Sequence, residues 1–194
     1  RVYIAKSNGK KRPLGIPTMK DRAMQALYLM ALEPVTETTA DPNSYGFRRY
    51  RSTADAIDAL HIMFSHQPNP PQWVLEGDIK GCFDNISHEW LVDNVQIDKQ
   101  ILKKWLKCGA VFNKLLSPTT AGTPQGGIIS PTLANATLDG MEKMLLKKYR
   151  ERYVNGKRYR PKVHLVRYAD DFVVSADTRE LLEQVKEDLK HFLA

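Results

Sequence analysis

The six residues Arg167-Tyr168-Ala169-Asp170-Asp171-Phe172 set two adjacent carboxylates between apolar runs, His164-Leu165-Val166 before them and Phe172-Val173-Val174 after. β-branched and aromatic residues favour a strand on each side, which puts the aspartates at the turn of a hairpin. Neighbouring carboxylates repel each other. A hard divalent cation removes that penalty, and Mg²⁺ is held by one or two carboxylates together with substrate phosphates. An isolated Asp-Asp pair is also ordinary turn chemistry. A third aspartate changes the balance. Trp73-Val74-Leu75-Glu76-Gly77-Asp78-Ile79 reads as a buried strand ending on Asp78, an awkward place for an acid without a partner or a metal. Asp84, in the turn that follows, has a milder explanation as a turn or capping residue and is left out of the site.

The elements that must position these residues follow from Trp73 onward as strand, helices, hairpin and helix. A lone strand and a hairpin packed under helices form an α+β arrangement, the ferredoxin-like split βαβ antiparallel sheet. With the lone strand beside the hairpin, Asp78 lies next to Asp170 and Asp171. Three carboxylates at one point suit two Mg²⁺ ions about 3.5–4 Å apart, the arrangement that activates a hydroxyl and steadies a leaving pyrophosphate. The supporting helices are read as follows. Ser87 caps one, and another runs from about Asp98 to Cys108, burying Ile101, Leu102, Trp105 and Leu106. Gly122-Thr123-Pro124-Gln125-Gly126-Gly127 opens a helix that reaches about Tyr149, with Ala134, Leu138, Met141 and Leu145 on one face. Such a loop lets backbone approach a nucleotide, although its order is neither a Walker loop nor a dinucleotide fingerprint. A last helix is capped at Asp177 or Thr178 and buries Leu181, Val185, Leu189 and Phe192.

Toward the amino end, residues 2–5 and 13–16 read as short strands joined by a basic hairpin containing Asn8-Gly9. Lysines and an arginine on such a hairpin suit a triphosphate. A helix capped by Thr18 buries Ala23, Leu27, Met30 and Ala31 and is closed or kinked by Pro34. The turn from Ser44 to Ser52 is rich in aromatic and arginine residues. It either stacks on bases and holds phosphates or forms a packed Tyr-Gly-Phe corner with solvated arginines. A helix from Thr53 to about His66 turns Ala56, Ile57, Leu60 and Phe64 inward, and Pro68, Pro70 and Pro71 mark a linker.

The chain's net charge of +7 is concentrated. Residues 147–162 carry Lys147, Lys148, Arg150, Arg152, Lys157, Arg158, Arg160 and Lys162 against Glu151 alone, around an Asn155-Gly156 turn expected to close a basic hairpin. The first 22 residues carry seven basic side chains against Asp21. Two basic segments on an otherwise acidic body suggest a polyanion partner, nucleic acid rather than a membrane surface. No apolar run approaches a membrane span. Cys82 and Cys108 lack metal spacing and read as free thiols of a reducing cytosol. Arg1 in place of Met and a helical pattern running into Ala194 read as an excised fragment.

Tyr168-Ala169-Asp170-Asp171, the Asp78…Phe83 spacing, Thr123-Pro124-Gln125-Gly126-Gly127 and Lys6…Arg12 together resemble the fingers and palm of a reverse transcriptase. Arg12-Pro13-Leu14-Gly15-Ile16-Pro17-Thr18, Ser44-Tyr45-Gly46-Phe47-Arg48 and Gly126-Gly127-Ile128-Ile129-Ser130-Pro131 make the resemblance narrower, to bacterial group II intron-encoded reverse transcriptase/maturases. The resemblance implies a right-hand polymerase with a fingers subdomain over residues 1–72 and a palm over 73–194, some fingers elements returning within about 98–125. It implies two Mg²⁺ ions on Asp78, Asp170 and Asp171 with help from the Ile79 carbonyl. Lys6 and Arg12 would grip the incoming deoxynucleoside triphosphate, Phe83 would act as the gate against a 2′-hydroxyl, and Gln125 and Gly126 would lie against the nucleotide. Lys10, Lys11, Arg48, Arg49, Arg51, Lys157, Arg158 and Arg160 would bind RNA. The expected partners are intron RNA, an RNA template with a DNA primer, and a second copy of the chain. The expected setting is the bacterial cytoplasm, and the expected roles are RNA-directed DNA synthesis, splicing and retrohoming. The thumb, the maturase region and any endonuclease domain are expected to be missing. An RNA-binding splicing cofactor and a CRISPR-associated or defence reverse transcriptase remain alternatives. Arg49-Tyr50 stands where relatives usually have Pro-Gly.

Overall fold

A computed structural model of the chain describes residues 2–5, 9, 11–65 and 68–194, and of residues 12 and 13 the backbone alone. In chain order the elements begin with β1 (Val2–Ala5), β2 (Lys11–Leu14), α1 (Met19–Thr39), α2 (Thr53–Ser65) and β3 (Trp73–Asp78). Next come α3 (Cys82–Asn85), α4 (His88–Asn94), α5 (Lys99–Lys107), β4 (Ala110–Phe112), β5 (Leu115–Ser117), α6 (Ser130–Leu138) and α7 (Met141–Lys148). The last are β6 (Arg152–Val154), β7 (Lys157–Tyr159), β8 (His164–Tyr168), β9 (Asp171–Ala176) and α8 (Arg179–Leu193). Among the described residues no helix is long and apolar enough to cross a membrane.

The chain divides into two interleaved units, residues 1–39 with 81–137 and residues 40–80 with 138–194. This division does not follow the expected boundary at 72/73 with fingers elements returning within about 98–125. The reason is packing. Ala56 and Met63 of α2 form a buried cluster with Val166 of β8, and Ser44 bridges Arg167, so the residues before the prolines belong with the central sheet.

In the first unit, a core of Leu32, Leu91, Leu102, Leu106, Ile129 and Leu133 joins α1, α4, α5 and α6. The caps lie where side-chain chemistry puts them. Ser87 accepts from Trp90 N, and Asp98 accepts from Gln100 N and Ile101 N. The face of α1 differs from expectation. Leu27 and Met30 are exposed, while Gln25 and Leu32 are buried and Tyr28 packs edge-on against Trp105 at 5.4 Å. This helix is apolar most of the way round, so its own periodicity does not select a side; the partner does. It also runs through Pro34 to Thr39. β2 starts at Lys11, two residues before the expected strand, and the β4–β5 hairpin was not anticipated.

In the second unit, the antiparallel sheet has the order β3-β9-β8 and α8 packs on β3 and β9. Thr178 caps α8 by accepting from Leu181 N, and Leu181, Val185 and Leu189 are buried as the spacing requires. β3 is an edge strand whose residues are exposed or half-buried, not the buried strand expected. In α2, Ala56 is buried as expected, but Ile57 faces solvent and Met63 takes the inward position. The helix expected to reach Tyr149 unbroken is split into α6 and α7 at Gly140 (φ 107°), although Ala134, Leu138, Met141 and Leu145 are all buried. The basic hairpin forms as expected around Asn155 and Gly156, both with positive φ.

Candidate metal and nucleotide site

Because β3 and β9 pair antiparallel, Asp78 is directly opposite Asp171, and the ladder continues one step further with Ile79 N donating to Asp170 O at 3.1 Å. Asp170 is at the turn, and Asp171 is the first residue of β9. Side chains alternate along a strand, so Glu76 and Asp78 share a face with Asp171 and Val173, and β8 adds Tyr168 and Val166. Gly77 is required beneath this pair. A Cβ there would lie 2.3 Å from Cζ of Phe172, whose ring covers the opposite face.

The electrostatics of this corner are those of crowded acids. Burial first, and then the carboxylates of Asp170, Asp78 and Glu76, raise the Asp171 carboxyl above its ordinary value. Glu76 was not singled out from the sequence, although its position two residues before Asp78 on an alternating strand was the available signal. Among the described residues, no three His, Cys, Asp or Glu side chains are gathered closely enough to hold an ion by themselves. The strand register brings Asp78 and Asp171 together, but the side chains do not yet converge on one point as expected. A set of hard carboxylate oxygens, one of them disfavoured as a free anion by burial and then by its acidic neighbours, has the chemistry that suits a divalent cation. A cavity of about 610 Å³ adjoins the corner, lined by Ile57, Leu60, Val166 and Tyr168 together with Glu76, Asp78 and Asp171.

Phe83, Gln125 and Gly126 belong to the first unit. Phe83 and Gln125 line a cavity of about 990 Å³ there, with Gly15, Pro17, Trp105 and Pro124. Phe83 also packs against the buried core, so the ring serves both packing and the cavity wall. Two of the loop glycines make room for neighbouring atoms of the protein itself. A Cβ at Gly122 would lie 2.6 Å from the Phe83 carbonyl oxygen, and one at Gly127 would lie 2.5 Å from Ser130 Oγ. Gly126 (φ 115°) remains exposed. Buried Gln25 and His88 hold this loop, Gln25 Oε1 accepting from Ile128 N at 2.8 Å and His88 Nε2 lying 2.7 Å from Gly122 O. Neither was expected from the sequence, because each contact joins distant parts of the chain.

Lys6, expected with Arg12 to grip the triphosphate, and Lys10, expected on RNA, lie outside the described residues, as does the side chain of Arg12, while Lys11 is exposed on β2. Arg48 and Arg51, expected on RNA, are turned onto the protein. Arg48 Nη1 donates to the carbonyls of Asp41 (2.8 Å) and Ser44 (2.7 Å), and Arg51 Nη1 donates to Pro42 O (2.6 Å). A tight irregular turn leaves carbonyls without ladder partners, and these guanidinium groups satisfy them. The turn thus matches neither expectation in full: Tyr45 is half-buried and Gly46 buried, but Phe47 is exposed and the two arginines bond to the protein's own carbonyls instead of being solvated. Arg49 is exposed, and Tyr50 is fully exposed at φ 60°, the left-handed geometry for which a Pro-Gly sequence is suited. Of the hairpin cations, Arg158 and Arg160 both engage Glu151, Arg158 Nε at 2.9 Å and Arg160 Nε at 3.0 Å, while Lys157 is exposed.

Residues 4–194 match the family described as reverse transcriptase (RNA-dependent DNA polymerase). Protein YkfC of Escherichia coli (strain K12) is 35% identical, the alignment covering 100% of this chain and 58% of YkfC. Group II intron-encoded protein LtrA of Lactococcus lactis subsp. cremoris is 34% identical, covering 100% of this chain and 41% of LtrA. The chain thus spans about half the length of these relatives. A telomerase structure from Candida albicans superposes with a TM-score of 0.51 at 16% identity, over 88% of this chain and 31% of that one, which shows a shared fold.

Proposed function

This chain belongs to the reverse transcriptase (RNA-dependent DNA polymerase) family, and we propose that it carries out RNA-directed DNA synthesis as part of a group II intron-encoded protein. The observation that supports this most directly is the register placing Asp78 opposite Asp171 with Asp170 beside it. In this reading residues 40–80 and 138–194 form the palm, and residues 1–39 and 81–137 form the fingers.

Asp78, Asp170 and Asp171, with the Ile79 carbonyl, are the groups that would hold two Mg²⁺ ions. When bound, such ions supply a lowered pKa for an attacking hydroxyl and charge stabilisation for a leaving pyrophosphate. The bond formed joins the 3′-oxygen of a DNA primer to the α-phosphorus of a deoxynucleoside triphosphate. The bond broken releases pyrophosphate, and protein has little to add beyond positioning and charge. Lys6 and Arg12 would hold the triphosphate, Gln125 and Gly126 would lie along the nucleotide, and the flat ring of Phe83 would exclude a 2′-hydroxyl.

The test is Mg²⁺-dependent extension of a DNA primer on an RNA template, with Phe83→Val as the informative variant. Discrimination between deoxy- and ribonucleotides, read as the ratio of kcat/KM values, is expected to fall by about tenfold or more. An unchanged ratio would confine Phe83 to its packing role.

A second use, binding of intron RNA to assist splicing, is favoured by the basic β6–β7 hairpin. Replacing Lys157, Arg158 and Arg160 together with Gln is expected to weaken RNA binding and make log K against log salt shallower by about 2. Glu151 already neutralises part of this charge, so Glu151→Gln is expected to tighten binding. A triple variant with the parent's salt slope would remove the hairpin from the interface.

A further inference from the structure

We infer that Arg167 and Asp139 are positioning residues that fix the attitude of the Asp170–Asp171 turn, and so the metal affinity of the site; this rests on the metal-dependent reading above. Arg167 is in β8 opposite Phe172, on the face of the sheet away from Asp78 and Asp171. Its side chain is completely buried. One arm of the guanidinium, Nη2, donates to Asp139 Oδ1 at 2.7 Å, and the other, Nη1, donates to the carbonyl of Ala169 at 3.1 Å. Ala169 is the residue immediately before the two aspartates, and it holds a left-handed φ of 57°. A non-glycine residue in that region is strained by about 1–2 kcal/mol, so the turn needs something outside itself to keep it there. The guanidinium fork provides it.

Asp139 is in turn held where α6 breaks into α7. Asp41 Oδ2 accepts from Gly140 N (2.9 Å) and Glu142 N (3.0 Å), satisfying amides at the start of α7. Glu142 accepts from Asn43 through the backbone N (2.9 Å) and through Nδ2 (2.6 Å). Asn43 O closes the ring by accepting from Arg167 N at 2.9 Å. The turn that carries the carboxylates is thus referenced, through one arginine, to the break between two helices.

Stability alone is a poor explanation for this choice of residues. A buried ion pair is often no more stabilising than well-packed apolar side chains of similar volume. What the pair adds is direction, because a planar guanidinium can grip a carboxylate and a carbonyl at fixed angles that Lys cannot reproduce. Displacement of catalytic groups by about 1 Å lowers rates by about a hundredfold.

The experiment compares the parent protein with Arg167→Lys, Asp139→Asn and the apolar double replacement Arg167→Met with Asp139→Leu. Four quantities are read on each: the melting temperature, Mn²⁺ binding by electron paramagnetic resonance, hydrogen exchange at the Ile79 amide that donates to Asp170, and single-turnover primer extension. Arg167→Lys is expected to raise the Mn²⁺ Kd about tenfold, speed exchange at Ile79 and slow extension by about a hundredfold. The double replacement is expected to recover melting temperature without recovering Mn²⁺ affinity. If Arg167→Lys does not fold, Asp139→Asn carries the same comparison, since it removes the charge that grips the guanidinium while leaving a group of the same shape in place. Variants that lose stability yet bind Mn²⁺ and protect Ile79 like the parent would overturn the inference. A parent protein that binds no Mn²⁺, or one in which Asp171→Asn leaves extension intact, would instead remove the reading on which it rests.

Discussion

Replacing Asp171 with Asn is expected to abolish the proposed DNA synthesis on an RNA template, and Asp78→Asn is expected to do the same. The two carboxylates are partners in the β3–β9 register, so neither can be replaced by a neighbour. The expected loss is about a thousandfold or more, the scale of a lost electrostatic contact to a developing charge. Stability should move the other way. The folded Asp171 carboxyl is raised above its ordinary value by burial and by Asp170, Asp78 and Glu76. Folding therefore favours its protonated form. Its contribution to stability is full below the ordinary carboxylate range and is lost as pH rises through the raised value. Without metal at neutral pH, the Asp171→Asn protein is expected to melt no lower than the parent and to lack that part of the pH dependence. RNA affinity should be nearly unchanged, because the basic segments are untouched. Primer extension, thermal melts in chelator and filter binding separate the three. A loss of RNA affinity in parallel with synthesis would mean that the carboxylates and the RNA surface are not independent.

The second large effect is expected at Gly46→Ala. A Cβ at residue 46 would lie 2.3 Å from Ala169 N, 2.9 Å from Tyr168 C and 3.0 Å from Ala169 Cα. All three are backbone atoms, so no side-chain rotation can make room. Either the corner around Tyr45 or the carboxylate turn must move. Overpacking of this kind costs about 1–3 kcal/mol and at times more, and here the displaced atoms adjoin Asp170. Denaturant unfolding should show the lower stability, and extension normalised to folded protein should fall as well. Gly156→Ala is the control. Nothing lies within 4 Å of a Cβ there, but its φ of 74° still strains an alanine, which costs about 1–2 kcal/mol and leaves extension at the parental rate. Equal catalytic losses in both variants would show that stability alone governs activity.

These two positions differ in how much of them can be read from the chain. The carboxylate corner is legible because its signals are local. Apolar runs with two aspartates between them make a hairpin, a strand stops at Asp78, and the split βαβ pattern leaves few ways to place one beside the other. Ser87, Asp98 and Thr178 cap the helices that follow them, and Asn155-Gly156 closes the basic hairpin, because in each case a side chain or a glycine answers the backbone within a few residues. Gly46 has no such signature. Its neighbour Ala169 is more than a hundred residues away, and only the folded chain shows that the two backbones touch.

The chain's residues by themselves thus determined the type and order of most elements and the caps of several helices, since propensity, capping and alternation act over a few bonds. The register that pairs Asp78 with Asp171 belongs to the folded sheet. The tertiary structure alone decided which side of α1 is buried, that α6 and α7 part at Gly140, that the units interleave, and that Arg48 and Arg51 face inward. It also decided the ring that joins Asp41, Asn43, Asp139, Glu142 and Arg167. A helix apolar on several sides has no preferred face until a partner covers one, and a buried charge has no stated role until its partner, distant in the chain, arrives beside it.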